Sequence, residues 1–155
     1  MKLSTKSRYG TRLMLDLAEQ SSRRFVQLKE ISERQGISLK YLEQIMIPLK
    51  KARLVESSRG ATGGYRLAKP ADEITVGDIV ALLEPGKTLT HCDAYPDSCE
   101  RSDSCPVRDL WRDATRAVYE KLNSVRLSDL TAKNKTSKGS RPDKPSRILG
   151  PHGGS

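Results

Sequence analysis

Residues 31–46 run Ile31-Ser32-Glu33-Arg34-Gln35-Gly36-Ile37-Ser38-Leu39-Lys40-Tyr41-Leu42-Glu43-Gln44-Ile45-Met46. A short helix through Leu28 to Gln35 is expected to stop at Gly36, the residue type that most easily takes the left-handed conformation closing a helix. Ser38 then offers its hydroxyl to the free backbone N–H groups of a following helix. In that helix Leu42, Ile45, Met46 and Leu49 recur at helical spacing and predict a buried stripe, which leaves Lys40, Tyr41, Glu43, Gln44 and Lys51 largely outward. Two short helices joined by a tight glycine turn make a helix-turn-helix pattern.

The flanking residues extend this pattern. Upstream, Tyr9, Leu13, Met14, Leu17 and Ala18 share one helical face and predict an amphipathic helix over residues 6–20. Downstream, Leu54-Val55-Glu56-Ser57 and Gly64-Tyr65-Arg66-Leu67 read as strands around the loop Ser58-Arg59-Gly60-Ala61-Thr62-Gly63. The loop is too long for a two-residue hairpin turn, and its glycines allow close approach to another surface. That is the shape of a wing, and an arginine at its edge, Arg59, can exploit the negative potential of a narrow DNA minor groove. The competing reading, a plain helical hairpin followed by a solvent loop, leaves the local charge unexplained. Residues 1–66 carry 14 basic and 6 acidic side chains, net +8.

The middle of the chain differs in charge and pattern. Residues 67–132 carry 8 basic and 12 acidic side chains, net −4. Thr75 three residues before Asp78 forms a capping-box signature ahead of Val76, Ile79, Val80 and Leu83, a short helix that ends near Pro85-Gly86. Residues 87–105 show no helical or strand pattern, and they hold all three cysteines, Cys92, Cys99 and Cys105, at spacing C-x6-C-x5-C. Pro106 suits the first position of a helix. From there Leu110, Trp111, Ala114, Ala117, Val118, Leu122 and Val125 form a stripe of about five turns at helical periodicity. A single small domain offers little to cover so long a stripe, so a second subunit's helix is expected against it, with Trp111 in the dimer core.

Cysteines outside an apolar stripe are chemical rather than packing residues. Thiolates ligate soft metal centres, and a helix N-terminus favours the thiolate form of a cysteine beside it. Structural zinc sites use tighter C-x2–4-C pairs and four ligands. Iron–sulfur clusters are larger and tolerate wider spacing. A cluster, a zinc site, a thiol redox switch and incidental cysteines all remain open on spacing alone. An odd cysteine count confined to one segment does not suit a secreted disulfide framework.

The net charge of +9 is therefore composite, because the last 23 residues, 133–155, add 6 basic and 1 acidic side chains. Their Lys, Ser, Gly and Pro content cannot bury enough apolar surface to order the chain, so a disordered basic tail is expected. No segment approaches the roughly 18 apolar residues of a membrane span. The N-terminus lacks the apolar core of a signal peptide, so a cytoplasmic location is expected. No nucleophile–base set or enzyme cofactor motif is present, and no enzymatic activity is expected. The expected fold is mainly α with a small β-hairpin wing. It comprises a winged helix-turn-helix over 1–84, a cysteine loop over 85–105, a dimerisation helix with a short extension over 106–132, and the tail.

The stretch Met1-Lys2-Leu3-Ser4-Thr5-Lys6-Ser7-Arg8-Tyr9-Gly10, the segment from Ile31 to Gln44, the wing Arg59-Gly60-Ala61-Thr62-Gly63-Gly64-Tyr65, and Leu110-Trp111-Arg112-Asp113 after three cysteines resemble the Rrf-type winged-helix transcriptional regulators, in particular their iron–sulfur cluster-binding members. The resemblance runs from residue 1 to about 130. It implies a cytoplasmic homodimer that binds palindromic double-stranded DNA operators and acts as a repressor whose DNA preference or affinity follows cluster occupancy. It also implies that Cys92, Cys99 and Cys105 ligate a 2Fe–2S or 4Fe–4S cluster.

 With no apolar run long enough to span a bilayer, no membrane partner is expected.

Two positions depart from that family pattern. Cluster-binding members carry a histidine ligand three residues after the last cysteine, where this chain has Arg108. Nitric-oxide-sensing relatives use a carboxylate near the N-terminus of the partner subunit, at the position of Arg8 here. A guanidinium is always protonated and has no lone pair to donate. The fourth ligand is therefore open among His91, Asp93, Asp103, Asp109, water and a small thiol. Recognition helices in successive major grooves would place Ser38, Lys40, Tyr41 and Gln44 on phosphates and base edges, with Gln44 suited to adenine. Glu43 can accept from cytosine but repels phosphate, which makes it a discriminator between operators, the role the resemblance also implies. Its other reading is an intrahelical pair with Lys40. A cluster-free regulator of the same fold, using zinc or thiol oxidation, is the alternative function.

Overall fold

The computed structural model describes residues 2–20 and 24–138. Among them lie seven α-helices and one two-stranded hairpin. Helix α1 (Thr5–Glu19) begins at Ser4, whose hydroxyl accepts from the Ser7 N–H at 3.1 Å. Its start is held a second time by Glu84, whose carboxylate accepts from the Ser4 backbone and from the Ser4 and Ser7 hydroxyls. A carboxylate is favoured there by the unsatisfied N–H groups and positive end of the helix dipole. Helix α2 (Leu28–Gln35) stops at Gly36, which takes the expected left-handed φ of 63°. Helix α3 (Leu39–Lys51) begins at Ser38, which accepts from the Tyr41 N–H, and it buries Leu42, Ile45, Met46 and Leu49 as expected.

Strands β1 (Val55–Ser58) and β2 (Gly64–Leu67) pair antiparallel, with Glu56 opposite Arg66 and Ser57 opposite Tyr65. Paired backbone hydrogen bonds of 2.8 Å between Val26 and Tyr65 tie the hairpin to the segment before α2. Gly64 is required at this junction. Its φ is 142°, and a Cβ there would lie 2.4 Å from the Val26 carbonyl oxygen. The Lys50 ammonium stands 5.9 Å from the Tyr65 ring centroid, so a cation–π contact links α3 to the wing.

Helix α4 (Val76–Leu83) carries the expected Thr75–Asp78 capping box. It crosses α1 at Gly10, where an added Cβ would lie 2.1 Å from Leu83 Cδ1. One core joins these elements, with Leu13, Met14, Ile31, Leu42, Ile45, Leu49, Ile74 and Ile79 fully buried.

The segment 87–105 differs from the patternless loop expected. It contains the one-turn helix α5 (His91–Ala94) and 3-10 turns at Pro96–Ser98 and Ser102–Ser104. Such turns are held by local hydrogen bonds and bury no apolar stripe, so periodicity does not reveal them.

The long helix is also shorter than expected. Helix α6 (Pro106–Asn123) ends before Val125, and a separate helix α7 (Leu127–Lys138) follows. Leu127 is fully buried in the head, and backbone bonds from Val76 N–H to Val125 O and from Leu127 N–H to Ile74 O reverse the chain. Helix α7 then packs on α1, with the Asn134 amide donating to Glu19. Burial of Leu127 starts a helix that carries six residues of the expected tail, 133–138. The rest of that tail, 139–155, lies outside the described residues.

Replacing Gly10 by Leu should disrupt the α1–α4 crossing. Overpacking of a tight core costs about 1–3 kcal/mol, and urea denaturation should read a loss of at least that size.

Candidate functional site

The candidate nucleic-acid face is built on a buried carboxylate. Asp16, on the inner side of α1, is only 2% exposed. It accepts from Arg34 Nη2 at 2.7 Å, from Arg34 Nε at 3.1 Å and from the Gln35 amide at 2.8 Å. The hydrogen bond to Asp16 pushes the Arg34 guanidinium above its ordinary, already high pKa. Arg12, one turn earlier on α1, donates to the Gln35 backbone and side-chain oxygens. These contacts clamp the end of α2, immediately before the turn into α3. At the other end of α2, the hydrogen bond from Arg24 holds the Glu30 carboxyl below its usual range.

With α2 fixed, α3 presents its second face outward. Ser38, Lys40, Glu43 and Gln44 are exposed, as is Ile47 at 69%. Glu43 forms no ion pair among the described residues, so the intrahelical pair with Lys40 is not made. Tyr41 differs from its neighbours. It is half-buried and packs edge-on against Tyr9, with ring centroids 5.8 Å apart, while Arg12 lies 5.5 Å from the Tyr9 ring. Tyr41 borders the apolar stripe and is shared between the core and the outer face. Arg59 is exposed at the wing tip, where Gly60 takes φ 103° and its carbonyl accepts from the Gly63 N–H at 3.0 Å. The face therefore combines cations, an amide, a hydroxyl and one uncompensated carboxylate. Sequence periodicity found this face but not the clamp beneath it. A charged residue between Leu13 and Leu17 was the available signal, since a buried carboxylate requires a cationic or hydrogen-bonding partner.

The cysteine loop lies between α4 and α6. Cys92 is half-buried in α5, with Sγ 3.4 Å from Thr90 Oγ1. Cys99 is exposed, and Cys105 is half-buried at the N-cap of α6 without making a side-chain cap. All three thiols are free of disulfides. Among the described residues, no three His, Cys, Asp or Glu side chains stand together as a metal-holding group. The three cysteines thus share one segment but are not gathered around a centre. Of the other candidate ligands, Asp93 and Asp109 pair with Arg112, and His91 Nδ1 contacts Ser98 Oγ at 3.2 Å. Asp103 is exposed.

Ser102 pins this loop and was not visible in the sequence. It is 6% exposed, donates its N–H to Cys99 O at 3.0 Å and its hydroxyl to Pro96 O at 2.7 Å. Its own carbonyl accepts from Arg108 Nη1 at 2.9 Å. Replacing Ser102 by Ala should loosen the segment, because a buried hydrogen bond contributes about 1 kcal/mol. Limited trypsin digestion is expected to cut faster at Arg101, with the thermal midpoint of the head little changed.

The chain is similar to known regulators over most of its length. A family model described as Rrf2, iron-dependent transcriptional regulator, matches residues 3–133. Protein rrf2 of Nitratidesulfovibrio vulgaris is 47% identical over 130 residues, which cover 84% of this chain and 87% of that protein. Among solved structures, T. potens IscR superposes with a TM-score of 0.72 at 36% identity, covering 93% of this chain and 94% of the other. CymR, the global cysteine regulator of B. subtilis, superposes with a TM-score of 0.71 at 38% identity, covering 86% and 98%. The mainly helical fold, the antiparallel hairpin and these matches agree: the chain belongs to the Rrf2 family of winged-helix transcriptional regulators, DNA-binding proteins rather than enzymes.

Proposed function

We propose that the protein is a homodimeric repressor of transcription that reads a palindromic operator and responds to an iron–sulfur cluster held by Cys92, Cys99 and Cys105. The observation that carries this reading is the set of three free thiols on the segment between the DNA-binding head and α6. Their donor chemistry fits such a cluster, since none is committed to a disulfide or an apolar stripe and thiolates are its usual ligands. When bound, the cluster would supply a redox-active centre whose loss reports iron, redox or nitric oxide status. The loop residues 85–105 would then bias the placement of the two heads, a population shift that requires different ligation in the two states.

The dimer reading rests on α6. It has no buried residue, and Val107, Leu110 and Trp111 are 50%, 58% and 39% exposed. A contiguous apolar face of this kind is a protein-contact surface, and a second copy supplies a matching one by symmetry. In that assembly Ser38, Lys40, Tyr41, Gln44 and Arg59 contact DNA, and Glu43 discriminates between operators. A cluster-free reading, in which the same thiols are oxidised, is favoured by the exposure of Cys99 and by similarity to the cysteine regulator CymR.

Anaerobic purification with iron, sulfide and zinc analysis separates these readings. Coloured protein containing iron and sulfide, lost on replacing any of the three cysteines by Ser, is expected; colourless protein with stoichiometric zinc would contradict the cluster. Lys40→Ala should weaken binding alike at all sequences and reduce the salt slope by about 1. Glu43→Ala should instead relax operator choice by about tenfold, within the ~1–3 kcal/mol carried by a base contact. Competition binding between operators reads both, and unchanged selectivity in Glu43→Ala would remove its role.

A further inference from the structure

We infer that Ile47 is a base-reading residue, an apolar contact for the C5-methyl group of a thymine in the operator half-site. The inference rests on the reading above in which the outer face of α3 lies against DNA. Helix α3 buries Leu42, Ile45, Met46 and Leu49 on one side. Ile47 stands on the opposite side, seven residues after Lys40, four after Glu43 and three after Gln44, so it shares their face at helical spacing. It is 69% exposed, more than Val107, Leu110 or Trp111 on the apolar face of α6. Lys51, one turn further on, is exposed as well, so charged and polar groups flank Ile47 at both ends of the face.

An isolated exposed aliphatic side chain is common on a protein surface, but the position of this one narrows its role. Helix stability does not ask for it, because a β-branched residue is a poorer helix former than the lysine, glutamine and glutamate around it. Contact with phosphate does not ask for it either, since an aliphatic group offers neither charge nor hydrogen-bond donor. In the major groove, however, thymine presents a methyl group, and an apolar side chain recognises it as water leaves both surfaces. The basic head, net +8 over residues 1–66, supplies the attraction to DNA, and Ile47 adds sequence information to it. Within a helix a β-branched side chain is largely fixed at χ1, and Pro48 beside it narrows the backbone freedom, so little entropy is lost on contact. Four residues of helix rise about 6 Å and a base step about 3.4 Å, so the thymine lies within about two base pairs of the pair that Glu43 faces.

The test uses the full-length wild type, Ile47→Ala, Ile47→Val and Lys40→Ala, each verified as folded by circular dichroism. A palindromic duplex is first selected with the wild type from a random pool. Fluorescence anisotropy then measures binding to that duplex and to versions in which one thymine of each half-site is replaced, position by position, with deoxyuridine. Deoxyuridine removes only the methyl group and leaves every hydrogen-bonding group of the base in place. At one symmetric position the replacement is expected to weaken wild-type binding about tenfold, the effect of one buried methyl in each half-site, and to leave Ile47→Ala unaffected. Ile47→Val should keep part of the sensitivity. Equal sensitivity to deoxyuridine in wild type and Ile47→Ala at every position would overturn the inference, because the methyl groups would then be read elsewhere or not at all. If Lys40→Ala still weakens binding in that case, α3 stays on DNA and only the role of Ile47 falls. Wild-type affinity in both Lys40→Ala and Ile47→Ala would instead refute the placement of α3 and this inference with it.

Discussion

The bidentate pairing of Asp16 with Arg34 sets the geometry on which the DNA-binding head depends. Apolar packing brings α1, α2 and α3 together, but dispersion and burial are weakly directional and tolerate sliding. Directed hydrogen bonds from Arg34 and Gln35 to one buried carboxylate fix the end of α2 against α1. Gly36 and Ser38 then turn the chain into α3 within three residues. The outward placement of Lys40, Glu43 and Gln44 descends from that clamp. Tyr65 extends it to the wing, through its backbone pairing with Val26 and the Lys50 ammonium over its ring.

A second set of contacts connects the head to the cysteine segment. Glu84 closes the start of α1 from the end of α4, directly before the chain enters that segment. The chain leaves it through α6 and returns to the head at Leu127. Helix α6 is therefore anchored to the head at its far end, while its first turn grows from Cys105 and Arg108. Gly77 allows the close approach of α4 to Asn123 near that anchor, since an added Cβ would lie 1.7 Å from Asn123 Oδ1. The loop is thus joined to α6 at one end and, through α4 and Glu84, to the start of α1 at the other.

The parts of the fold legible in sequence were those with strong local signals. Gly36 as a stop, Ser38 as a cap, the Leu42–Leu49 stripe and the Thr75–Asp78 box each act within a few residues, and each occurs as expected. The clamp at Asp16 joins residues 18 apart, and the Glu84 contact joins residues 80 apart, so no local pattern announces either partner. The break after Asn123 was missed because Val125 continues the helical spacing, whereas pairing with residues 74–76 decides the backbone there. In the candidate site, exposed side chains on α3 and at the wing were found by exclusion from the stripe. The burial of Ser102 and its contact with Arg108 depend on turns within residues 96–104 that carry no periodicity.

The central claim is that what the three cysteines hold controls operator binding by a dimer. Anaerobic fluorescence anisotropy on one labelled operator measures it most directly, comparing the protein loaded with iron and sulfide, the same preparation stripped by chelator, and the Cys92, Cys99 and Cys105 triple serine variant. Loaded protein should bind as a dimer with an affinity different from that of the stripped form, and the triple variant should match the stripped form. Identical affinities in all three preparations would contradict the claim.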